Sequence, residues 1–297
     1  VTAERTTQGS GAHRLSTTTG NLSSARGRVR LGPAESAIFE TFVVPRYLSL
    51  FGELALEMLA EGDDAQLVHL YCRTGYPDRG IALKLPGVHI LGVDPSSSAL
   101  ELARAKASTM PGLVSEYRVL EEMPSGLPAA AFSHALTLHP LANPDDRGRV
   151  VAEFAKLLAP HGQAVIAMPL RGSFQELADL LREYALKFDD APVSAAVERA
   201  ALVRPTVEMF GAELEEAGFD YVDVSLRPAM LRFQSGRDFF EDPIARLLVL
   251  PEVRLNLDLD DPERPLSYVR DAIDKYWSEG TFELTVNVGC ATGRKLP

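Results

Sequence analysis

The stretch LVHLYCRTGYPD, Leu67 to Asp78, concentrates groups that could do chemistry: an imidazole at His69, a phenol at Tyr71, a thiol at Cys72, a guanidinium at Arg73 and a flexible turn residue at Gly75. An apolar run leads into it and a helical pattern follows, which is the place of a nucleotide-type cofactor loop. Such loops use glycine to turn sharply and to let a ligand approach the backbone. Tyr71 and Arg73 stand where glycines are usual, so the place is kept and the chemistry is changed. Asp94 ends a second apolar run, VHILGVD; its carboxylate could accept hydroxyl hydrogen bonds from a ligand or simply cap the helix that follows. His134 and His139, in FSHALTLHPL, could be polar residues at a strand end, or, for His139 above all, a group facing a reacting substrate.

Other candidate groups carry less. Cys72 and Cys290 are the only cysteines and lie far apart in sequence, so they give neither a disulfide framework nor a pair with metal-ligand spacing, and both read as small apolar packers. The acid run LNLDLDDPERP, with Asp258, Asp260 and Asp261, lacks the glycine and distal glutamate of a calcium loop and reads as a solvated surface. No metal is expected. Gly172, Ser173 and Phe174 open a helix whose N-terminus could attract an anion, although Ser173 as an ordinary N-cap is the simpler account.

The elements that must hold these groups alternate. ESAIFETFVVPRYLSLFGELALEMLA has apolar residues at helical spacing, with Pro45 expected to break a short helix from a longer one. AQLVHLYC and VHILGVD read as strands, PSSSALELARAKA as a helix with a Ser98–Glu101 capping box, FSHALTLHPL as a strand, DDRGRVVAEFAKLLAP as a helix stopped by Pro160, and GQAVIAMPL as a strand. GSFQELADLLREYALKF and TVEMFGAELEEAGF are amphipathic helices, the second closed by Gly218, and residues 190 to 205 read as a connecting or capping segment. DYVDVSLRPAMLRF and TFELTVNVGCATG are further strands, separated by the helices GRDFFEDPIARLLVL and PLSYVRDAIDKYWSEG. Strands and helices in turn imply an α/β fold with a mostly parallel sheet covered on both faces.

Composition bounds the rest. The 46% hydrophobic content of the 297 residues is enough for a real core. The net charge of −11 is uneven: residues 1–33 hold five arginines against one glutamate, a formal +4 that leaves −15 for the remainder. An acidic body repels phosphate backbones, so nucleic acid is not an expected partner, and the Ser/Thr/Gly-rich leader reads as a flexible basic tail. No apolar run is long enough to cross a membrane and no secretory h-region is present, so a cytoplasmic protein is expected.

The order of these elements, together with LVHLYCRTG, LGVDPSSSALELARAKA, FSHALTLHPLA, VVAEFAKLLAPHGQAVIAMPL and TVEMFGAELEEAGF, resembles the class I S-adenosylmethionine-dependent methyltransferases over residues 36 to 297. The resemblance implies a Rossmann-like sheet of seven strands, the last antiparallel, in a domain spanning 34–297. It also implies a lid or cap insertion near 173–205 and a cofactor over the carboxyl ends of the first strands. In that family the loop is an acid followed by G-x-G-x-G. Laid on it, the acid position is His69 and the glycines are Tyr71, Arg73 and Gly75, so only Gly75 is kept. Asp94 matches the acid that holds the ribose hydroxyls. The adenine-side aspartate falls on Val119 or Leu120, with Glu121 and Glu122 displaced, and the acid after Phe132 has become Ser133.

With three of four loop positions altered, the expectation is a methyltransferase-like protein without a cofactor, catalytically reduced and serving as a binding or scaffolding partner for another protein, with room for a small ligand in a vestigial pocket. The alternative is an active enzyme that binds S-adenosylmethionine through an atypical site, His69, Tyr71, Arg73, Gly75 and Asp94, and methylates a small-molecule or carrier-protein acceptor, with His139 as the catalytic candidate.

Overall fold

The computed structural model describes residues 30–140 and 143–297. Of the expected tail, residues 1–29 lie outside the described residues. Arg30 to Pro33 pack on the domain: Leu31 is buried, its amide donating to Ser96 Oγ at 3.1 Å, and Arg30 pairs with Glu121. Helix α1 (Pro33–Ile38) then runs into a wide-turned π-type segment, Phe39–Leu48, and on into α2 (Ser49–Met58). Pro45 was expected to break this stretch. It does not, because a wider turn removes the obligation of its missing N–H to serve the carbonyl one ordinary turn back.

The sheet is built from β1 (Gln66–Leu70), β2 (His89–Asp94), β3 (Val114–Val119), β4 (Phe132–Leu138), β5 (Leu158–Pro169), β6 (Phe219–Phe233) and β7 (Phe282–Lys295). Its order is β3-β2-β1-β4-β5-β7-β6. The first five strands are mutually parallel, and β7 enters antiparallel between β5 and β6. Strands β1 and β4 lie inside the sheet and are buried on both faces, which is why they read as unbroken apolar runs. Edge strands β3 and β6 are largely exposed and read as mixed.

Helices α3 (Asp78–Lys84) and α4 (Ser97–Ala107) follow β1 and β2; α5 (Pro144–Leu157) follows β4. Beyond β5 come α6 (Gln175–Phe188), α7 (Ala191–Val203) and α8 (Val207–Glu216). Beyond β6 come α9 (Gly236–Glu241), a second wide-turned segment Ala245–Val249, α10 (Leu250–Leu257) and α11 (Glu263–Tyr276). Residues 190 to 205, expected to be a connecting or capping segment, are mostly α7: Asp190 caps it by accepting from Val193 N, and Pro192 sits in the first turn, where a missing N–H costs nothing. Helix α4 begins at Ser97, ahead of the expected Ser98–Glu101 box, and the Ser96 hydroxyl at its N-cap accepts from the Leu31 amide instead.

Alternate residues of β5 sort into two cores. Val165 and Ala167 face α2 and α6, with Phe51 and Leu181; Ala164, Ile166 and Met168 face α5 and α8, with Phe154 and Phe210. Both layers leave the carboxyl ends of β1, β2 and β4 pointing to one rim, under the Phe39–Leu48 segment and beside α7 and α10.

Candidate cofactor and acceptor site

At that rim the loop after β1 turns through two non-glycine residues with positive φ, Tyr71 (φ +57°) and Arg73 (φ +49°), before Gly75 (φ +73°). Bulky residues adopt this region only when their surroundings hold them there. Tyr71 is held by packing, its partly buried ring lying against the α5–α8 core. Arg73 is held by hydrogen bonds. Its amide donates to Asp94 Oδ2 at 3.0 Å, while Nη1 donates to the Leu138 carbonyl at 2.8 Å and Nη2 to the His139 carbonyl at 2.9 Å. The side chain thus crosses from β1 to the end of β4, with its guanidinium carbon 5.7 Å from the centre of the Phe39 ring. Gly75 is kept for a steric reason as well: a Cβ there would meet Ala103 Cβ and Asp78 Oδ2 at 3.0 Å.

His69 stands where the resembling family has an acid, and the acid reappears across the loop. His69 Nδ1 lies 3.1 Å from Asp78 Oδ1 at the start of α3, and Tyr117 Oη of β3 donates to Asp78 Oδ2 at 2.6 Å. All three side chains are buried. Burial and the Asp78 carboxylate push the Tyr117 hydroxyl well above its ordinary value, so it remains a donor. Asp94, at the end of β2 and buried, accepts from two amides, Ser96 N at 2.8 Å through Oδ1 and Arg73 N through Oδ2. It therefore shapes the loop and caps the turn into α4 at once, the capping being one of the two roles that the sequence left as alternatives. Glu121 is engaged by Arg30 at the surface, and Val119 is exposed.

The two histidines separate. His134, near the start of β4, touches Ala60 O and Ser133 Oγ at the far end of the strand from the loop. His139, just past β4, is buried at the rim, with Nε2 2.8 Å from Tyr47 Oη and its ring edge-on to Phe51. Burial, then the cations of Arg73 and Arg204, hold His139 well below its ordinary value, and burial pushes Tyr47 well above its own. Tyr47 Oη and His139 Nε2 thus share one hydrogen bond between neutral groups, with Tyr47 the donor in the Nδ1–H tautomer. Arg204, just past α7, pairs with Glu252 of α10 at 2.9 Å and stacks 4.7 Å from the centre of the Phe174 ring. Tyr47, Arg204 and Glu252 carried no motif in the sequence. Their one legible signal is polar residues set among apolar helical faces.

Neither cysteine is reactive here: burial pushes the Cys72 and Cys290 thiols upward. Among the described residues no group of His, Cys, Asp and Glu is placed to hold a metal ion, and no helix is long and apolar enough to cross a membrane.

Residues 70–166, from the end of β1 into β5, match the family described as a methyltransferase domain. No curated protein matches the chain. Among solved structures the chain is similar to a putative methyltransferase from Bacillus halodurans, at 15% identity and a TM-score of 0.51 over 83% of this chain and 99% of that one. It is also similar to phosphoethanolamine N-methyltransferase 2 from Haemonchus contortus. The complex of that enzyme with phosphomonomethylethanolamine and S-adenosylhomocysteine is 14% identical, with a TM-score of 0.51 over 89% of this chain and 57% of that one. Its complex with S-adenosyl-L-methionine is 13% identical, with the same TM-score and coverage. The fold is that of the class I S-adenosylmethionine-dependent methyltransferases, and residues 70–166 carry the methyltransferase domain.

One expectation is overturned by these likenesses. The altered loop was taken to leave the chain without a cofactor; the domain match and the neighbours that hold S-adenosylmethionine or its product point to S-adenosylmethionine. The physical reason is that loop glycines are one way to admit a ligand, not the only one, and here Tyr71 takes positive φ with its ring partly buried against the α5–α8 cluster.

The rim suits such a molecule in three respects. Asp94 offers a carboxylate at the end of β2 for a ribose diol. Arg73 offers a cation for an α-carboxylate. Buried polar atoms without a partner among the described residues gather here: His69 Nε2, Thr74 Oγ1 and Thr137 Oγ1 belong to β1, its loop and β4, and Glu40 Oε2 belongs to a carboxylate paired with Lys106, which itself donates to the Thr74 carbonyl. Arg73 occupies the Leu138 and His139 carbonyls, and both Asp94 oxygens already accept from backbone amides.

Proposed function

We propose that the domain is an S-adenosylmethionine-dependent methyltransferase with an atypical cofactor seat, acting on a small acceptor held under the α6–α7 cap. The observation that carries this reading is the convergence, at one rim, of Asp94, the Arg73 guanidinium and the buried Tyr47–His139 pair. Bound S-adenosylmethionine supplies an electrophilic methyl group on a sulfonium. Asp94 would accept from the ribose hydroxyls, and Arg73 would turn from the two carbonyls onto the cofactor's carboxylate, a stronger partner for a fork-shaped cation. His139 is neutral and can take a proton through the Tyr47 hydroxyl from an acceptor that must lose one. The apolar rings of Phe39 and Phe51 exclude water from that pair.

One observation favours the other reading, a catalytically reduced protein that binds a partner: Arg73 occupies the Leu138 and His139 carbonyls with its own cation, as a ligand ammonium would. Calorimetric titration of the full chain with S-adenosylmethionine and S-adenosylhomocysteine separates the two. The proposal expects saturable binding that Asp94→Ala weakens by about tenfold to a hundredfold, the worth of charged hydrogen bonds. Absence of binding in the wild type, with binding gained in a Tyr71→Gly, Arg73→Gly double variant, would establish the reduced reading.

A further inference from the structure

Beside the rim, α6, α7 and α10 enclose a cavity of about 330 Å³. We propose that this cavity binds a small carboxylate with an apolar body. Its walls are aliphatic: Leu177 and Leu181 of α6, Val197 and Ala200 of α7, Val253 and Leu257 of α10. Its volume is at the small end of the range of about 300 to 1,000 Å³ that ligand pockets span, which suits a short alkyl or single-ring body.

Its charged residues are mostly cationic, and Ser173, Gln175 and Asn256 add neutral polar groups. Arg171, Arg182 and Arg204 line the cavity, against Glu198 as the one acid in its wall. In a chain of net charge −11 that excess does not follow from composition. Arg182 is spent on Asp179 and Glu198. Arg204 gives Nη2 to Glu252, while its Nε is buried without a partner among the described residues. Arg171 donates Nε to the Arg204 carbonyl at 3.2 Å and Nη2 to the Leu202 carbonyl and Met209 Sδ, and has no carboxylate partner among the described residues. Arg204 is matched by Glu252 and Arg182 by two acids, so Arg171 is the cation of this wall that has no carboxylate among the described residues, and a monoanion would pair with it. A guanidinium held by carbonyls on one edge presents the other edge as a fork for a carboxylate.

Octanoate and 1-octanol, which share a chain and differ in charge, test the assignment by calorimetric titration of the full chain. Octanoate should bind, about tenfold or more tightly than octanol. Arg171→Gln should erase most of that difference while leaving octanol unchanged, and Ala200→Phe, which fills the apolar space without touching a charge, should abolish binding of both. Equal affinity for the two probes, binding of neither, or octanoate binding that ignores Ala200→Phe would each overturn the proposal. A parallel titration with S-adenosylmethionine keeps the two questions apart. Cofactor binding without octanoate binding removes the cavity assignment alone; octanoate binding with the expected variant pattern but no cofactor binding removes the methyltransferase reading and leaves the cavity as a carboxylate site.

Discussion

The Arg73 guanidinium hangs on two backbone carbonyls while its own amide serves Asp94, so one residue connects β1, β2 and the end of β4. Its role has a sign that can be measured. If it receives the cofactor's carboxylate, Arg73→Gln should weaken S-adenosylmethionine binding by about tenfold; if it only obstructs, the same change should tighten binding. The neighbouring pair is tested differently. Tyr47→Phe removes the hydroxyl between His139 and the acceptor and should lower kcat by about 10² to 10⁴ for an acceptor that must lose a proton, with cofactor affinity unchanged. His139 also links stability to pH. Its folded value lies well below the ordinary 6.5, because burial and the Arg73 and Arg204 cations disfavour imidazolium. The unfolded chain therefore takes up the proton first, and stability present above about pH 6.5 is lost as pH falls towards the folded value, by about 1.4 kcal/mol per pH unit at most for one proton. His134, shifted the same way by burial, adds to the slope. Thermal melts between about pH 7 and pH 5 should show a shallower fall for His139→Gln than for the wild type.

Elements were legible where their pattern is carried by packing and illegible where it is carried by a site. The strands inside the sheet announce themselves because both faces are buried, and β7 was read correctly as the closing antiparallel strand. Helix α7 was legible only as a connecting or capping segment because its composition, APVSAAVERAALV, is mostly alanine and valine, with a weak polar face, and it lines a cavity rather than covering the sheet. The opposite layer is tied by charge: Arg147 of α5 is fully buried and its guanidinium forks onto Glu213 of α8. Both helices pack on the same face of β4, β5 and β6, so this pair fixes their register. Arg147→Met should destabilise the domain by about 3 kcal/mol, since it strands the Glu213 carboxylate at a helix–helix contact. Arg147→Met combined with Glu213→Leu should recover much of that loss in urea melts, because an apolar pair of similar volume removes the stranded charge.

At the scale of the molecule, the sheet, its order and the position of the rim follow from the alternation of apolar runs. The content of the rim does not, because Tyr47, Arg73, Asp94, His139, Arg204 and Glu252 come from six separate segments and meet only in three dimensions. Loop motifs described one side of that meeting. They identified the changed glycines and could not show that Tyr71 would pack, partly buried, against the α5–α8 cluster, or that Asp78 would stand beside His69. The leading segment also takes part: Leu31 and Arg30 reach over α4 and the end of β3, so the chain before α1 closes the same rim that the cap approaches from the other side. A ligand seated there would bind only the assembled fold, and must raise its stability by RT ln(1 + [L]/Kd), about 2.7 kcal/mol at a hundred times Kd. Saturating S-adenosylmethionine should therefore raise the melting temperature of the wild type by several degrees, given a rise of about 2 to 4 °C for each kcal/mol in a domain this large. Asp94→Ala should lose most of that rise, and Tyr47→Phe should keep it, because the first residue faces the ribose and the second the acceptor. A rise that survives Asp94→Ala undiminished would place the cofactor elsewhere on the fold, and one lost in Tyr47→Phe would merge the two halves of the site that the geometry keeps apart.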